Sequence, residues 1–125
     1  MKLYRTVDEL AISGSINDLA EVYKSLKGAT ENYNKTFIFE TFGSPKPYDF
    51  LERQLKVSIN TEPACITFVE NEGVIIKGNI ESIQCLASFF DFESDANAGT
   101  HYHWDNCCDS EYTSESTLPL VVSVE

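Results

Sequence analysis

The strongest constraint on the fold is a strand-glycine-helix segment that the chain contains twice. Residues 10–26 (LAISGSINDLAEVYKSL) and 74–90 (VIIKGNIESIQCLASFF) each combine an apolar strand, a glycine, a polar residue and an amphipathic helix. Gly14 and Gly78 set the register between the two copies, with an offset of 64 residues. A repeated unit of this size predicts two related halves that complete one another.

The flanking segments extend this correspondence. Residues 3–5 align with residues 67–69, and residues 37–40 align with residues 101–104, at the same offset. The final apolar segments, 55–59 and 120–124, match at an offset of 65. Each half therefore has the predicted order strand, strand, helix, strand, strand.

The fold class predicted from this order is α+β. We expect two ββαββ repeats that form a curved, mostly antiparallel sheet with two helices on one face. A half of this length has too little core to be stable alone, so residues 1–125 are predicted to be a single domain built from pseudo-repeats 1–60 and 64–125. Two smaller sheets that share one core are the alternative.

Both helix starts carry a polar side chain suited to an N-cap. Ser15 and Asn79 directly follow the two glycines and can accept a hydrogen bond from the first helical turn. The glycine before each cap allows the tight change of direction from strand to helix. We interpret this turn as structural, because neither copy has the further glycines and lysine of a phosphate-binding loop.

The net charge of −11 comes from the second half alone. Residues 1–60 contain eight acidic and eight basic residues, whereas residues 61–125 contain twelve acidic residues and a single basic one, Lys77. Direct binding of nucleic acid is therefore not expected, because phosphates would meet an acidic surface. A basic protein partner fits this charge distribution better. The alternative is that the acidic surface has no binding role and only keeps the protein in solution.

The first residues lack the apolar run of a signal peptide, and no segment reaches the length of a transmembrane helix. We therefore expect a cytoplasmic protein with no membrane partner. No serine or cysteine occurs in a setting typical of a nucleophile, and no carboxylate lies in an apolar segment. A non-enzymatic protein without a cofactor is the resulting prediction.

The segment HYHWD at residues 101–105 is the most conspicuous chemical cluster. On a strand, His101 and His103 point to the same side and could hold a metal ion together with Cys107. The repeat, however, places Phe37 and Phe39 at the two histidine positions, which favours packing or recognition. A metal-binding or metal-sensing domain that uses His101, His103 and Cys107 remains the alternative function.

The second half resembles the immunity protein 32 family of bacterial toxin-immunity proteins. The resemblance depends on GNIESI at residues 78–83, HYHW at residues 101–104, the acidic loop that follows, and STLPLVVSV at residues 116–124. It covers about half of the chain, and the first half lacks the histidine pair. The resemblance implies a small protein that binds and neutralises a cognate polymorphic or contact-dependent toxin, which is often a nuclease with a basic surface.

These observations predict a protein-binding surface on the second half. Its expected contacts are acidic residues together with the histidines and aromatic residues among them: Glu93, Asp95, His101, His103, Trp104, Asp105, Asp109, Glu111 and Tyr112. A third interpretation, a purely structural subunit, predicts an obligate homo-oligomer.

Overall fold

The computed structural model describes residues 1–106 and 111–125. The described residues form nine β-strands and two α-helices. In chain order these are β1 (Lys2–Arg5), β2 (Leu10–Gly14), α1 (Ile16–Lys27), β3 (Asn34–Ile38), β4 (Phe50–Glu52), β5 (Gln54–Ile59), β6 (Cys65–Val69), β7 (Gly73–Gly78), α2 (Ile80–Ala87), β8 (His101–Trp104) and β9 (Leu120–Val124). A short 3-10 helix, Ser88–Phe90, continues α2.

The strands form two mixed sheets, and the architecture is α+β as predicted. The five-stranded sheet has the order β4-β1-β2-β9-β8, and the four-stranded sheet has the order β3-β5-β7-β6. The prediction of a single curved sheet is wrong, and the alternative of two smaller sheets that share one core is what the described residues form. The pairing is mostly antiparallel, as predicted, with five of the seven pairings between the described strands antiparallel. Each sheet contains one parallel pairing, β2 with β9 and β5 with β7, because the last strand of each half joins the first hairpin of the other half.

The pairing also corrects the alignment of β3 with β8. Phe37 pairs with Leu55, as Trp104 pairs with Leu120, so Phe37 corresponds to Trp104 and not to His101. The offset of 64 residues holds for β2 and β7, but the loops that precede β3 and β8 differ in length. The aromatic residue that both halves place at this position is buried in each case.

Both predicted helix caps are confirmed. The Ser15 hydroxyl accepts a hydrogen bond from the Asp18 amide at 3.1 Å, and the Asn79 side chain accepts one from the Ser82 amide at 2.8 Å. The two helices pack against each other, and each follows the central strand of a different sheet.

One hydrophobic core joins the two sheets and both helices. The same interior space is lined by Leu3, Leu10, Ile12 and Leu120 of the five-stranded sheet and by Leu55, Ile66, Val74 and Ile76 of the four-stranded sheet. At one side the sheets are joined through Arg5, whose guanidinium carbon lies 3.6 Å from the Phe68 ring centroid. Arg5 also pairs with Glu52 at 3.1 Å, which satisfies the charge at this half-buried position.

The outer sides of β6 and β1 are covered by other segments of the chain. Beside β6, the Ala64 amide donates to the Tyr112 carbonyl at 3.0 Å, and the Leu118 amide donates to the Ile66 carbonyl at 3.0 Å. Beside β1 lies β4, a strand of three residues between the predicted strands at residues 37–40 and 55–59. Neither described helix has the length and apolar composition that crossing a membrane requires.

Candidate functional site

The candidate site is the outer edge of β8, the last strand of the five-stranded sheet. Within residues 1–106 and 111–125, β8 pairs with β9 on one side and with no strand on the other. An unpaired edge presents backbone donors and acceptors that can bind another chain. We call this surface, made by β8 and the side chains on its two faces, the β8 edge.

One face of the β8 edge carries the two predicted histidines. His101 and His103 are both exposed, and their ring centroids lie 5.0 Å apart at an interplanar angle of 73°. His101 Nδ1 lies 2.9 Å from the Gly99 carbonyl oxygen. Because a carbonyl only accepts hydrogen bonds, Nδ1 is the donor in this contact, and Nε2 takes no part in it.

The opposite face of β8 carries an aromatic cluster. Tyr102 stacks on Phe92 with ring centroids 4.7 Å apart and meets Phe89 edge-on at 6.5 Å. The Tyr102 side chain is 40% exposed, and a depression of about 220 Å³ beside it is lined by Ser88, Phe89 and Tyr102. Partly exposed aromatic rings next to a shallow depression are typical of residues that bind a protein partner.

Trp104 does not belong to this surface, which corrects its predicted role as a contact residue. Its side chain is 0% exposed and lies in the hydrophobic core. Within the described part of the chain, its indole nitrogen has no hydrogen-bond partner. Trp104 therefore fixes β8 to the core, while the residues before it remain outside.

The predicted acidic contacts lie in the segments that lead into and out of β8. Exposed Glu93 and Asp95 are in the loop before the strand, next to Phe92, and half-buried Asp105 directly follows the strand. A hydrogen bond of 2.8 Å from Thr113 Oγ1 to Asn106 Oδ1 brings the two ends of the next loop together.

This hydrogen bond explains the position of the remaining predicted contacts. Glu111 is exposed. Tyr112 is half-buried, and its carbonyl accepts a hydrogen bond from the Ala64 amide at 3.0 Å. Both residues directly precede Thr113, which lies close to the end of β8 through its hydrogen bond to Asn106. Asp109 and the proposed metal ligand Cys107 lie outside the described residues.

The sequence interpretation missed Tyr102 and Phe89. The signal was present in the alternation of a strand, because residues on either side of His103 must point away from the histidine face. The depression itself was not predictable, since Phe89 belongs to a helical segment and meets Tyr102 only through the tertiary fold. In the described ranges, no three or more His, Cys, Asp or Glu residues are arranged to hold a metal ion.

Comparison of the chain with protein-family models, curated proteins and solved structures finds no match.

Proposed function

We propose that this protein is a non-catalytic immunity protein that binds and neutralises a cognate bacterial toxin. The observation that carries the proposal is the β8 edge, which among the described residues pairs with no strand on its outer side, with exposed histidines on one face and exposed Tyr102, stacked on Phe92, on the other. The family resemblance of the second half includes this strand and supports the choice of partner. Binding alone suffices for neutralisation if it covers the toxin's active site.

The charges around the β8 edge favour a basic toxin surface. Glu93 and Asp95 precede the strand, Asp105 and Glu111 follow it, and residues 78–125 contain no lysine or arginine. Complementary charge accelerates association and fixes orientation, while buried aromatic contacts supply most of the affinity. A basic nuclease domain is the kind of toxin that fits these charges.

We also infer that the chain consists of two ββαββ pseudo-repeats that exchange their last strands. The support is that β1-β2-β9-β8 and β6-β7-β5-β3 have the same sequence of antiparallel, parallel and antiparallel pairings. On this interpretation the first half serves as scaffold, since its equivalent of β8 lacks the histidines.

Co-expression with the product of an adjacent toxin gene tests the function. We expect the two proteins to co-purify and the toxin's activity to be lost in the complex. Asp95→Lys should slow association several-fold at low salt, whereas Glu31→Lys, an exposed residue in the loop before β3, should leave the rate unchanged. If no toxin encoded by a neighbouring gene forms a complex with this protein, the proposal is contradicted.

A metal-binding function is the second candidate, and the closeness of the His101 and His103 rings favours it. Two imidazoles leave at least two positions of a tetrahedral zinc site to be filled by other ligands. Calorimetry with zinc distinguishes the two functions: stoichiometric binding that is lost in His103→Ala would support the metal site, and the absence of heat would remove it.

A further inference from the structure

We propose that the β8 edge is a β-augmentation site, at which the partner adds one extended strand to the five-stranded sheet. The proposal rests on the proposed function in that it specifies how the partner binds. The added strand would hydrogen-bond to the backbone of β8, and its alternate side chains would fall on the histidine face and on the aromatic face.

The hydrogen bonds of β9 determine which backbone groups of β8 face outwards. The Leu10 amide donates to the Pro119 carbonyl, and the Glu125 amide donates to the Gly14 carbonyl, so odd-numbered residues of β9 bond to β2. Even-numbered residues of β9 therefore bond to β8, in agreement with the hydrogen bond from the Val124 amide to the Thr100 carbonyl.

It follows that Tyr102 and Trp104 use their backbone groups within the sheet. These two residues pair with Val122 and Leu120. His101 and His103 then direct their amide and carbonyl groups away from β9, where an added strand would bond to them. The same two residues thus supply both the outward backbone groups and the exposed imidazoles.

The other long edges lack this combination. In β6 the outward amide of Ile66 donates to Thr117 Oγ1 and its carbonyl accepts from the Leu118 amide, and the outward groups of β1 face β4. The edge strand β3 carries Lys35, which lies on the same side of the strand as buried Phe37. Lys35 is itself exposed, and a charged residue on an edge strand opposes the addition of another strand, because the new strand would remove water from the charge.

The aromatic face specifies one side chain of the added strand. The depression of about 220 Å³ lined by Ser88, Phe89 and Tyr102 lies beside the edge and is open to solvent. A residue of the added strand that points to this face would lie against the two rings, so an aliphatic or aromatic side chain is expected there. The neighbouring residues of the added strand would face the histidines.

The charge of the protein selects a basic partner strand over a second copy of this chain. Glu93, Asp95 and Asp105 flank β8, and Lys77 is the single base of residues 61–125. Two copies paired through β8 would bring these acidic segments towards each other, whereas lysine or arginine residues on the partner strand would be attracted.

A proline scan of the two comparable edges provides the test. His103→Pro removes an outward amide without breaking a bond to β9, and Thr36→Pro makes the matched change in β3. We expect His103→Pro to weaken the affinity for the toxin encoded by the adjacent gene about tenfold or more, and Thr36→Pro to leave that affinity unchanged. Tyr102→Lys is the second blocking variant should His103→Pro not fold. It places a charge at the position in β8 that corresponds to Lys35 in β3.

The outcomes separate this proposal from the proposed function. A complex that forms equally well with His103→Pro and Tyr102→Lys would overturn augmentation and leave the immunity function standing. If no neighbouring toxin binds, the full-length protein is used to select from a displayed library of short random peptides. Recovery of peptides in which apolar and basic residues alternate, and which fail to bind the Tyr102→Lys variant, supports the augmentation site. Recovery of no such peptide overturns the proposal. A homodimer that dissociates on either substitution would identify a second copy as the occupant and also overturn the proposal.

Discussion

The edge strands β3 and β8 occupy corresponding places in the two sheets but present different surfaces. Both pair in antiparallel fashion with the last strand of their own half, and both anchor a buried aromatic residue, Phe37 or Trp104. Beyond this anchor the strands differ at every position. Asn34, Lys35 and Thr36 correspond in pairing to His101, Tyr102 and His103.

On the proposed function, this difference separates the scaffold from the binding surface. Lys35 discourages the addition of a further strand to β3, and Tyr102 at the matching position offers a stacked aromatic surface. The shared residues, in contrast, are those that fill the core. Two strands with the same pairing therefore present different surfaces through three side chains, and on the proposed function β8 is the edge that binds the partner.

The largest expected effect concerns the shared anchor. Trp104→Ala should lower the free energy of unfolding by about 3–5 kcal/mol, because the indole is completely buried. Phe37→Ala should cost less, since its ring is smaller and remains 9% exposed. Urea denaturation measures both. Trp104→Phe is the control and should retain most of the stability; a loss in Trp104→Ala below about 1 kcal/mol would show that β8 is not fixed through this residue.

A second prediction compares the two repeated glycines. A Cβ added at Gly78 would lie 2.7 Å from the Ala64 Cα, whereas one added at Gly14 would lie 3.1 Å from the flexible Met1 side chain. Gly78→Ala should therefore destabilise the protein by about 1–3 kcal/mol, because backbone must move. Gly14→Ala should stay within about 1 kcal/mol of the wild type. Equal losses in thermal or urea unfolding would mean that the two turns are packed alike.

The smallest expected effect comes from exchanging the residues that distinguish the two edges. Tyr102→Lys should weaken partner binding roughly fivefold, about 1 kcal/mol, because it removes the stack on Phe92 and adds a charge. Lys35→Tyr should leave partner binding intact and promote self-association through β3. Titration calorimetry and sedimentation measure the two effects, and an unchanged affinity in Tyr102→Lys would assign recognition to another surface.

Much of the local structure could be predicted from the sequence. The strand-glycine-helix units, the caps at Ser15 and Asn79 and the α+β class follow from local patterns, because periodicity and capping depend on neighbouring residues. The short strand β4 was missed, since its three residues are held in place by β1 and not by a strand pattern of their own.

The candidate site was predicted in part. The sequence identified His101 and His103, and the structure places both on the exposed face of one strand. Trp104 was assigned to the surface because aromatic residues among acids are typical of interfaces, but alternation along β8 directs it into the core. Tyr102 gains its partners Phe89 and Phe92 from the 3-10 helix and the loop after it, which the sequence does not place beside β8.

The sequence by itself determined the charge of each half, the two helices and the exposed histidine pair of β8, because these follow from composition and short-range periodicity. Tertiary structure alone decided that the last strand of each half joins the sheet of the other half, that Trp104 is buried, and which strand edge pairs with no strand among residues 1–106 and 111–125. These features depend on strand pairings between distant segments. A strand pattern shows which side chains face the core but does not name the strand's partner, so packing of the whole core decides which distant strands pair.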